Sequence, residues 1–205
     1  MRCFDVVVLC GGYGTRLSRW VAPGFPKVMV DVCGESFLEI VVRYLNGLNP
    51  NKIVLSTGYG AEWIERRFAG IGMTRCVVFS CEGDEPRGKA SAVELAVRNH
   101  VETDQILVVN GDTYCELDVQ RLFDCAKNKE RTVVIDPSGE EVGAFTFSRI
   151  NGKFSNLDPR GLITDNFFVA DVPFWDTGTL GGLNRFAEYW KYRMRLSRYE
   201  EPSLN

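Results

Sequence analysis

Gly11-Gly12-Tyr13-Gly14-Thr15-Arg16-Leu17 follows the apolar run Val6-Val7-Val8-Leu9 and precedes Pro26-Lys27. Glycines lack a β-carbon, so their backbone N–H groups can close on phosphate oxygens. Arg16 and Lys27 supply fixed positive charge to neutralise what those oxygens carry. These residue types describe a triphosphate cradle near the amino end. Farther on, Asn110-Gly111-Asp112 closes another apolar run. Alone it reads as a strand-ending turn, since Asn, Gly and Asp are favoured turn formers. Joined to a phosphate cradle, Asp112 becomes a candidate ligand for Mg²⁺, which takes a few carboxylates with phosphate oxygens and water.

Two better-known phosphate loops do not fit. Gly-x4-Gly-Lys-Ser/Thr occurs nowhere in the chain. Gly12-Tyr13-Gly14-Thr15-Arg16-Leu17 lacks the third glycine of the dinucleotide fingerprint, and Pro23-Gly24 and Pro26 prevent a long helix from opening there. A plain Gly-rich turn would account for Gly-Gly-x-Gly, but not for Thr-Arg-Leu and Pro-Lys beside it.

The chain of 205 residues suits one domain with a substantial core. A formal net charge of -3 gives no electrostatic footprint for nucleic acid. No early apolar run spans a membrane, and Met1-Arg2-Cys3-Phe4-Asp5 lacks the order of a secretion signal, so a cytoplasmic protein is expected. The seven cysteines include no C-x-x-C, and His100 is the only histidine. Zinc sites need paired spacings, so the cysteines read as reduced, mostly structural thiols.

The elements that must position these residues alternate as in an α/β fold. Apolar runs predict strands over Asp5–Cys10, Lys52–Ser56, Arg75–Cys81 and Gln105–Asn110. Helical spacing marks Ser36–Leu48 (Ser36 as N-cap), Glu62–Phe68 and Lys89–Arg98. Such repeats imply a parallel sheet with right-handed crossovers. Beyond Lys129, Arg131–Asp136, Val142–Ser148, Phe154–Leu157 and Thr164–Val172 read as strands, and Leu183–Leu196 as a helix. The expected organisation is a single domain: a nucleotide-binding half over 1–130, a shortened β-rich sugar-binding lobe over 131–180, and a C-terminal helix and tail over 181–205. In open α/β sheets, ligands sit at the carboxyl ends of strands. Gly11–Arg16, Ser80–Lys89 and Gly111-Asp112 fall at such ends.

Gly11–Leu17 with Pro26-Lys27-Val28-Met29-Val30 resembles the signature of the sugar-1-phosphate nucleotidyltransferases, the nucleoside-diphosphate-sugar pyrophosphorylases. Glu35-Ser36-Phe37-Leu38-Glu39, Val54–Tyr59, Leu107–Tyr114, Gly161-Leu162-Ile163 and Asp176-Thr177-Gly178-Thr179 extend the likeness, strongly to about Leu122 and patchily beyond. The resemblance implies a Rossmann-like, mostly parallel sheet flanked by helices. It implies an Mg²⁺-dependent enzyme that makes a nucleoside-diphosphate sugar and pyrophosphate from an NTP and a sugar 1-phosphate. GTP and a heptose- or mannose-like sugar are favoured.

In that reaction a sugar-phosphate oxygen attacks the α-phosphorus of the NTP. The nucleophile is already anionic, so positioning and fixed charge do the work. The likeness assigns Arg16 to the β- and γ-phosphates and Lys27 to the incoming phosphate and the α-phosphate. Asp112 and the late Asp176 fall to the metal. These aspartates meet only if the β-rich second half folds back over the first. Nucleotide contacts are carried over to Leu9, Gly11, Gly12, Gly14, Thr15, Gly111 and the segment Glu82–Gly88, including Glu82, Pro86 and Gly88. Sugar-phosphate contacts are carried over to Lys27, Gly143 and Asp158.

Departures are concentrated at the substrate. Lys89-Ala90-Ser91 replaces a Thr-Gly-Gly of the family, and Asn156-Leu157-Asp158-Pro159-Arg160 lacks its Glu-Lys pair. Lys89 reads either as a contact to a second phosphate or acidic sugar, or as a solvated first-turn residue. The thinner wall around the sugar also allows a homo-oligomer in which a partner subunit completes it. Three other readings stay open: a non-catalytic nucleotide-sugar-binding paralogue, a glycosyltransferase of related fold and a redox dinucleotide enzyme. Asp112-Thr113-Tyr114 lacks the Asp-x-Asp of the glycosyltransferase.

Overall fold

Val6, Val7 and Val8 are all fully buried, which requires cover on both faces of the strand that carries them. The computed structural model describes residues 3–13, 21–69, 76–83, 88–159 and 166–200, the last four by backbone alone. In chain order, β1 spans Asp5–Leu9, β2 Asp31–Val32, β3 Glu35–Ser36, α1 Phe37–Gly47, β4 Lys52–Thr57, α2 Ala61–Ala69 and β5 Val77–Cys81. Then follow α3 Lys89–His100, β6 Gln105–Asn110, β7 Thr113–Cys115, α4 Val119–Cys125, β8 Arg131–Ile135, β9 Glu141–Ser148, β10 Phe167–Val169, β11 Phe174–Asp176 and α5 Leu180–Glu200.

Among the described residues, the main sheet runs β10-β8-β9-β6-β1-β4-β5. The pairs β1–β4, β1–β6, β4–β5 and β8–β10 are parallel; β9 is antiparallel to β6 and β8. The protein therefore has the mostly parallel, helix-flanked α/β sheet that the sequence predicts. The β-rich second half continues this sheet, while β11 turns aside to pair with β7.

Side-chain alternation splits the core into two layers. Val6, Val8, Ile53, Leu55 and Leu107 pack with Phe37, Ile40, Ile64, Phe123 and Phe186 from the helices on one face. Val7, Val54, Ile106 and Val108 pack with Val93 and Ala96 of α3 on the other. The helix α1 opens as its sequence predicts. Glu39 N–H donates to Ser36 Oγ at 3.3 Å, and Ser36 N–H donates back to Glu39 Oε2 at 2.9 Å. At the amino end of β1, buried Asp5 accepts from Glu102 N, Thr103 N and Asn51 Nδ2 at 2.9–3.1 Å. That carboxylate ties loops together at the end of the sheet remote from the glycine loop.

Phe154–Leu157, expected as a strand, is not one. Asn151-Gly152 folds the chain back so that Ile150 and Lys153 bond each other, and Asn156 has a φ of 47°. A left-handed residue cannot continue a pleat. The helix α4 was not expected; Asp118 Oδ1 caps it by accepting from Arg121 N at 3.0 Å. Of Thr164–Val172, Phe167–Val169 is strand and 164–165 lie outside the described residues. The last helix starts at Leu180, earlier than periodicity indicates, because Thr179 Oγ1 accepts from Gly182 N at 3.1 Å. No helix among the described residues is long and apolar enough to cross a membrane.

Candidate active site

Parallel register brings the strand ends to one edge. Leu9 lies opposite Asn110 on one side and Ser56 on the other, and Thr57 lies opposite Cys81. A cavity of about 690 Å³ opens along that edge. From β5 across to β9 its lining runs through Glu82, Ser56, Leu9, Asn110 and Gly143. Four strand spacings separate the extremes, about 19 Å at roughly 4.8 Å each. The site is a trough, long enough for a nucleotide laid across the strand ends.

Gly11 and Gly12, described residues of the glycine loop, line it at the β1 end. Gly11 packs against Gly58 so closely that a β-carbon on Gly11 would stand 3.2 Å from Gly58 N and 3.2 Å from Glu82 Oε1. Cys10 N–H donates to Ser56 O at 2.8 Å, which pins the loop to β4. Gly14, Thr15, Arg16 and Pro86, assigned above to the nucleotide, lie outside the described residues, as does Gly161-Leu162-Ile163. Leu9, Gly11, Gly12, Glu82 and Gly88 all line the trough. Gly111 does not: it is buried behind the wall, where its N–H bonds Leu9 O at 2.9 Å and a β-carbon would stand 2.8 Å from that oxygen. Its smallness lets the chain pass β1 and present Asp112.

Lys27 begins the 3₁₀ turn Lys27–Met29, anchored by buried Val28 and Met29. Its ammonium is ion-paired with the Asp112 carboxylate, and both side chains are largely covered. Asp176 reaches the same place through the β7–β11 pairing, which sets it opposite Thr113. Asp176 Oδ1 accepts from Gly178 N at 2.7 Å, fixing the carboxylate's orientation. Both aspartates line the trough, so the second half does fold back over the first.

These donors fit a magnesium ion. Asp112, in the turn between β6 and β7, and Asp176, at the end of β11, both line the cavity, and a cation already rests on Asp112. Among the described residues no group of three or more His, Cys, Asp or Glu could hold a metal. Asp112 and Asp176 would give Mg²⁺ the few carboxylates that it combines with phosphate oxygens and water. Cys10, also on the lining, keeps its proton: burial pushes the thiol far up, and the Asp112 charge adds to the effect.

Gly143 lines the β9 end, at a φ of 71°, with a hypothetical β-carbon 2.6 Å from Asn110 Nδ2. Lys89, exposed at the start of α3, lines the trough and donates its Nζ to Asn110 Oδ1 at 3.0 Å. Asp158 is set apart from the cavity. Its backbone oxygen accepts from Arg131 Nη1 at 3.1 Å, and Arg131 pairs with Phe147, toward the far end of β9 from Gly143. Trp175, Glu140, Glu141 and Arg185 join the lining instead. One signal could have found Arg185. It stands three residues after Gly182 in a helix capped by Thr179, which sets both on one face.

Comparisons with known proteins agree with this geometry. The MobA-like NTP transferase domain family matches residues 6–153. D-glycero-alpha-D-manno-heptose 1-phosphate guanylyltransferase of Aneurinibacillus thermoaerophilus is 33% identical over 120 residues, 58% of this chain and 51% of that protein. The chain therefore spans about half the length of such relatives. The crystal structure of HddC from Yersinia pseudotuberculosis superposes with a TM-score of 0.74 at 28% identity, covering 91% of this chain and 99% of that one. The same protein complexed with GMP-PN gives a TM-score of 0.75 at 27% identity, with the same coverage. The glycine loop, Lys27, Asp112 and the strands from β4 to β9 lie within the matched span, and the chain belongs to the MobA-like NTP transferase domain family.

Proposed function

We propose that this chain is a sugar-1-phosphate nucleotidyltransferase that joins a nucleoside monophosphate, from GTP, to a heptose- or mannose-like sugar 1-phosphate with release of pyrophosphate. The observation that carries this reading is the meeting of Lys27, Asp112 and Asp176 in one trough beside the glycine loop. A sugar-phosphate oxygen forms a bond to the α-phosphorus as the bond to the bridging oxygen of pyrophosphate breaks. The phosphate monoester is already an anion, so no side chain has to remove a proton. The barrier is the repulsion of two anions and the charge growing on the leaving group, which preorganised positive charge lowers.

Lys27 is assigned to the α-phosphate and the incoming phosphate, and Arg16 to the leaving pyrophosphate. Asp112 and Asp176 would hold Mg²⁺, which supplies positive charge shared between the two substrates. Glu82 supports guanine. Its carboxylate sits against the glycine loop at the β5 end, where it can accept from the adjacent N–H groups of a guanine edge. Gly143 and Trp175 offer the other end to the sugar. The likeness to the heptose 1-phosphate guanylyltransferase and to HddC supports the same substrates.

The test is incubation with Mg²⁺, each of GTP, ATP, UTP, CTP and dTTP, and a panel of sugar 1-phosphates, following pyrophosphate. Release is expected with GTP and a manno-configured hexose or heptose. No release from any pair would remove the enzymatic reading and leave a nucleotide-sugar-binding protein.

A further inference from the structure

Three described elements bring a cation to the trough: Lys27 on its 3₁₀ turn, Lys89 at the start of α3 and Arg185 on α5. Lys27 rests on Asp112 and Lys89 on Asn110. Arg185 differs, because no hydrogen bond or ion pair joins it to any described residue, Glu140 and Glu141 on the same lining included. Its side chain runs back over the first turn of α5, where a β-carbon on Gly181 would stand 3.7 Å from Nη1. That turn is seated firmly: Gly182 approaches the carbonyl of Asp176 more closely than any β-carbon could tolerate. Arg185 is therefore held at the β11 end of the trough, beyond Asn110 from Glu82.

We propose that Arg185 is a further binding residue for the phosphate of the sugar 1-phosphate, gripping it from the side opposite Lys27. The inference rests on the nucleotidyltransferase reading and deepens it. With the nucleobase at the Glu82 end, the attacking phosphate has to approach from the side of Asp112 and Asp176. It arrives with more than one negative charge and needs a cation not already engaged. A guanidinium keeps its proton at any working pH and presents two parallel N–H groups. Two phosphate oxygens can rest on that fork while the third is aimed at the α-phosphorus.

The experiment compares the protein with Arg185→Ala and Arg185→Lys, using mannose 1-phosphate and glucose 1-phosphate as probes with Mg²⁺ and GTP. Arg185 is exposed, so both variants should melt as the parent does. Arg185→Ala should raise KM for the sugar 1-phosphate about ten- to hundredfold and leave KM for GTP within about twofold. Arg185→Lys, which keeps the charge and loses the fork, should fall between. An unchanged sugar-phosphate KM, or an equal rise for GTP, would overturn the assignment. Should the parent release no pyrophosphate, the reaction fails but Arg185 is still decided by calorimetric titration of the same sugar phosphates. Weaker binding by Arg185→Ala supports the proposal; equal binding, or none by either protein, overturns it.

Discussion

Thr177 donates both its backbone N–H, at 2.8 Å, and its hydroxyl, at 2.9 Å, to the single carbonyl of Asp112. These bonds clamp the strand that carries Asp176 to the residue that carries the other carboxylate. Thr177 is buried, so both of its donors are largely shielded from water. The Thr177→Val variant keeps the backbone bond and the shape but loses the hydroxyl. It should cost about 1 kcal/mol of stability and raise the Mg²⁺ concentration needed for half-maximal turnover. Melting and a magnesium titration check both; an unchanged magnesium requirement would mean the clamp does not set carboxylate spacing.

Replacing either carboxylate should separate chemistry from folding. Asp112→Asn and Asp176→Asn preserve side-chain volume while removing the charge proposed to hold Mg²⁺. Turnover should fall by about a hundredfold or more in each, with melting temperature little changed. Full activity in the Asp112 variant would show that the metal is held elsewhere.

Lys27 and Asp112 neutralise each other in the ligand-free protein, and both side chains retain some contact with water. Such a pair contributes about 0–1 kcal/mol to stability, so Lys27→Ala should fold normally. Its kcat/KM should drop by about a hundredfold, because the lost charge serves the transferring phosphate. A variant that loses stability while keeping activity would make Lys27 a structural residue.

Thiol reactivity should follow burial. Cys3, Cys33 and Cys81 are exposed, whereas Cys10 and Cys115 are buried. Burial pushes the Cys115 thiol up to about 12, with the nearby Glu116 charge adding to it, and raises Cys10 further. An aromatic disulfide reagent at neutral pH should label the exposed three quickly and spare Cys10 and Cys115 until the protein is unfolded. Labelling of Cys10 in the native state would contradict its enclosure by the glycine loop.

Acid should weaken the start of α1. Burial raises the Glu39 carboxyl, but hydrogen bonds from Arg67 and Ser36 outweigh it and hold the group below its ordinary 4.5. A folded value lower than the unfolded one stabilises above the unfolded value, and that contribution disappears as pH falls through the folded one. Glu39→Gln should therefore lower the melting temperature more at about pH 6 than at about pH 3.5, which lies below the ordinary 4.5. An equal loss at both would show that the carboxylate's charge is not what holds the helix start.

The order of β1, α1, β4, α2, β5, α3 and β6 was legible because each is an apolar run or carries a helical period, and Ser36 with Glu39 marks a helix start by local bonds alone; the short β2–β3 pair was not expected. That Gly11, Gly12, Lys27 and Asp112 would come to one sheet edge was legible for a similar reason: phosphate chemistry needs particular residue types at strand ends. Two elements of the site escaped that reasoning. Asp158 matches in sequence order the place where a sugar contact was expected, yet the left-handed turn at Asn156 carries the chain away from the trough. Arg185 belongs to no motif that the resemblance supplied; its one cue is the spacing from Gly182 on α5, and it reaches the trough because Gly182 lets α5 close on Asp176. Local sequence therefore determined which chemistry this protein is built for, since strand ends and glycine turns follow from nearest neighbours. Which distant side chains complete the site was decided by tertiary structure, because the β7–β11 pairing and the packing of α5 bring together residues whose spacing along the chain carries no signal of contact.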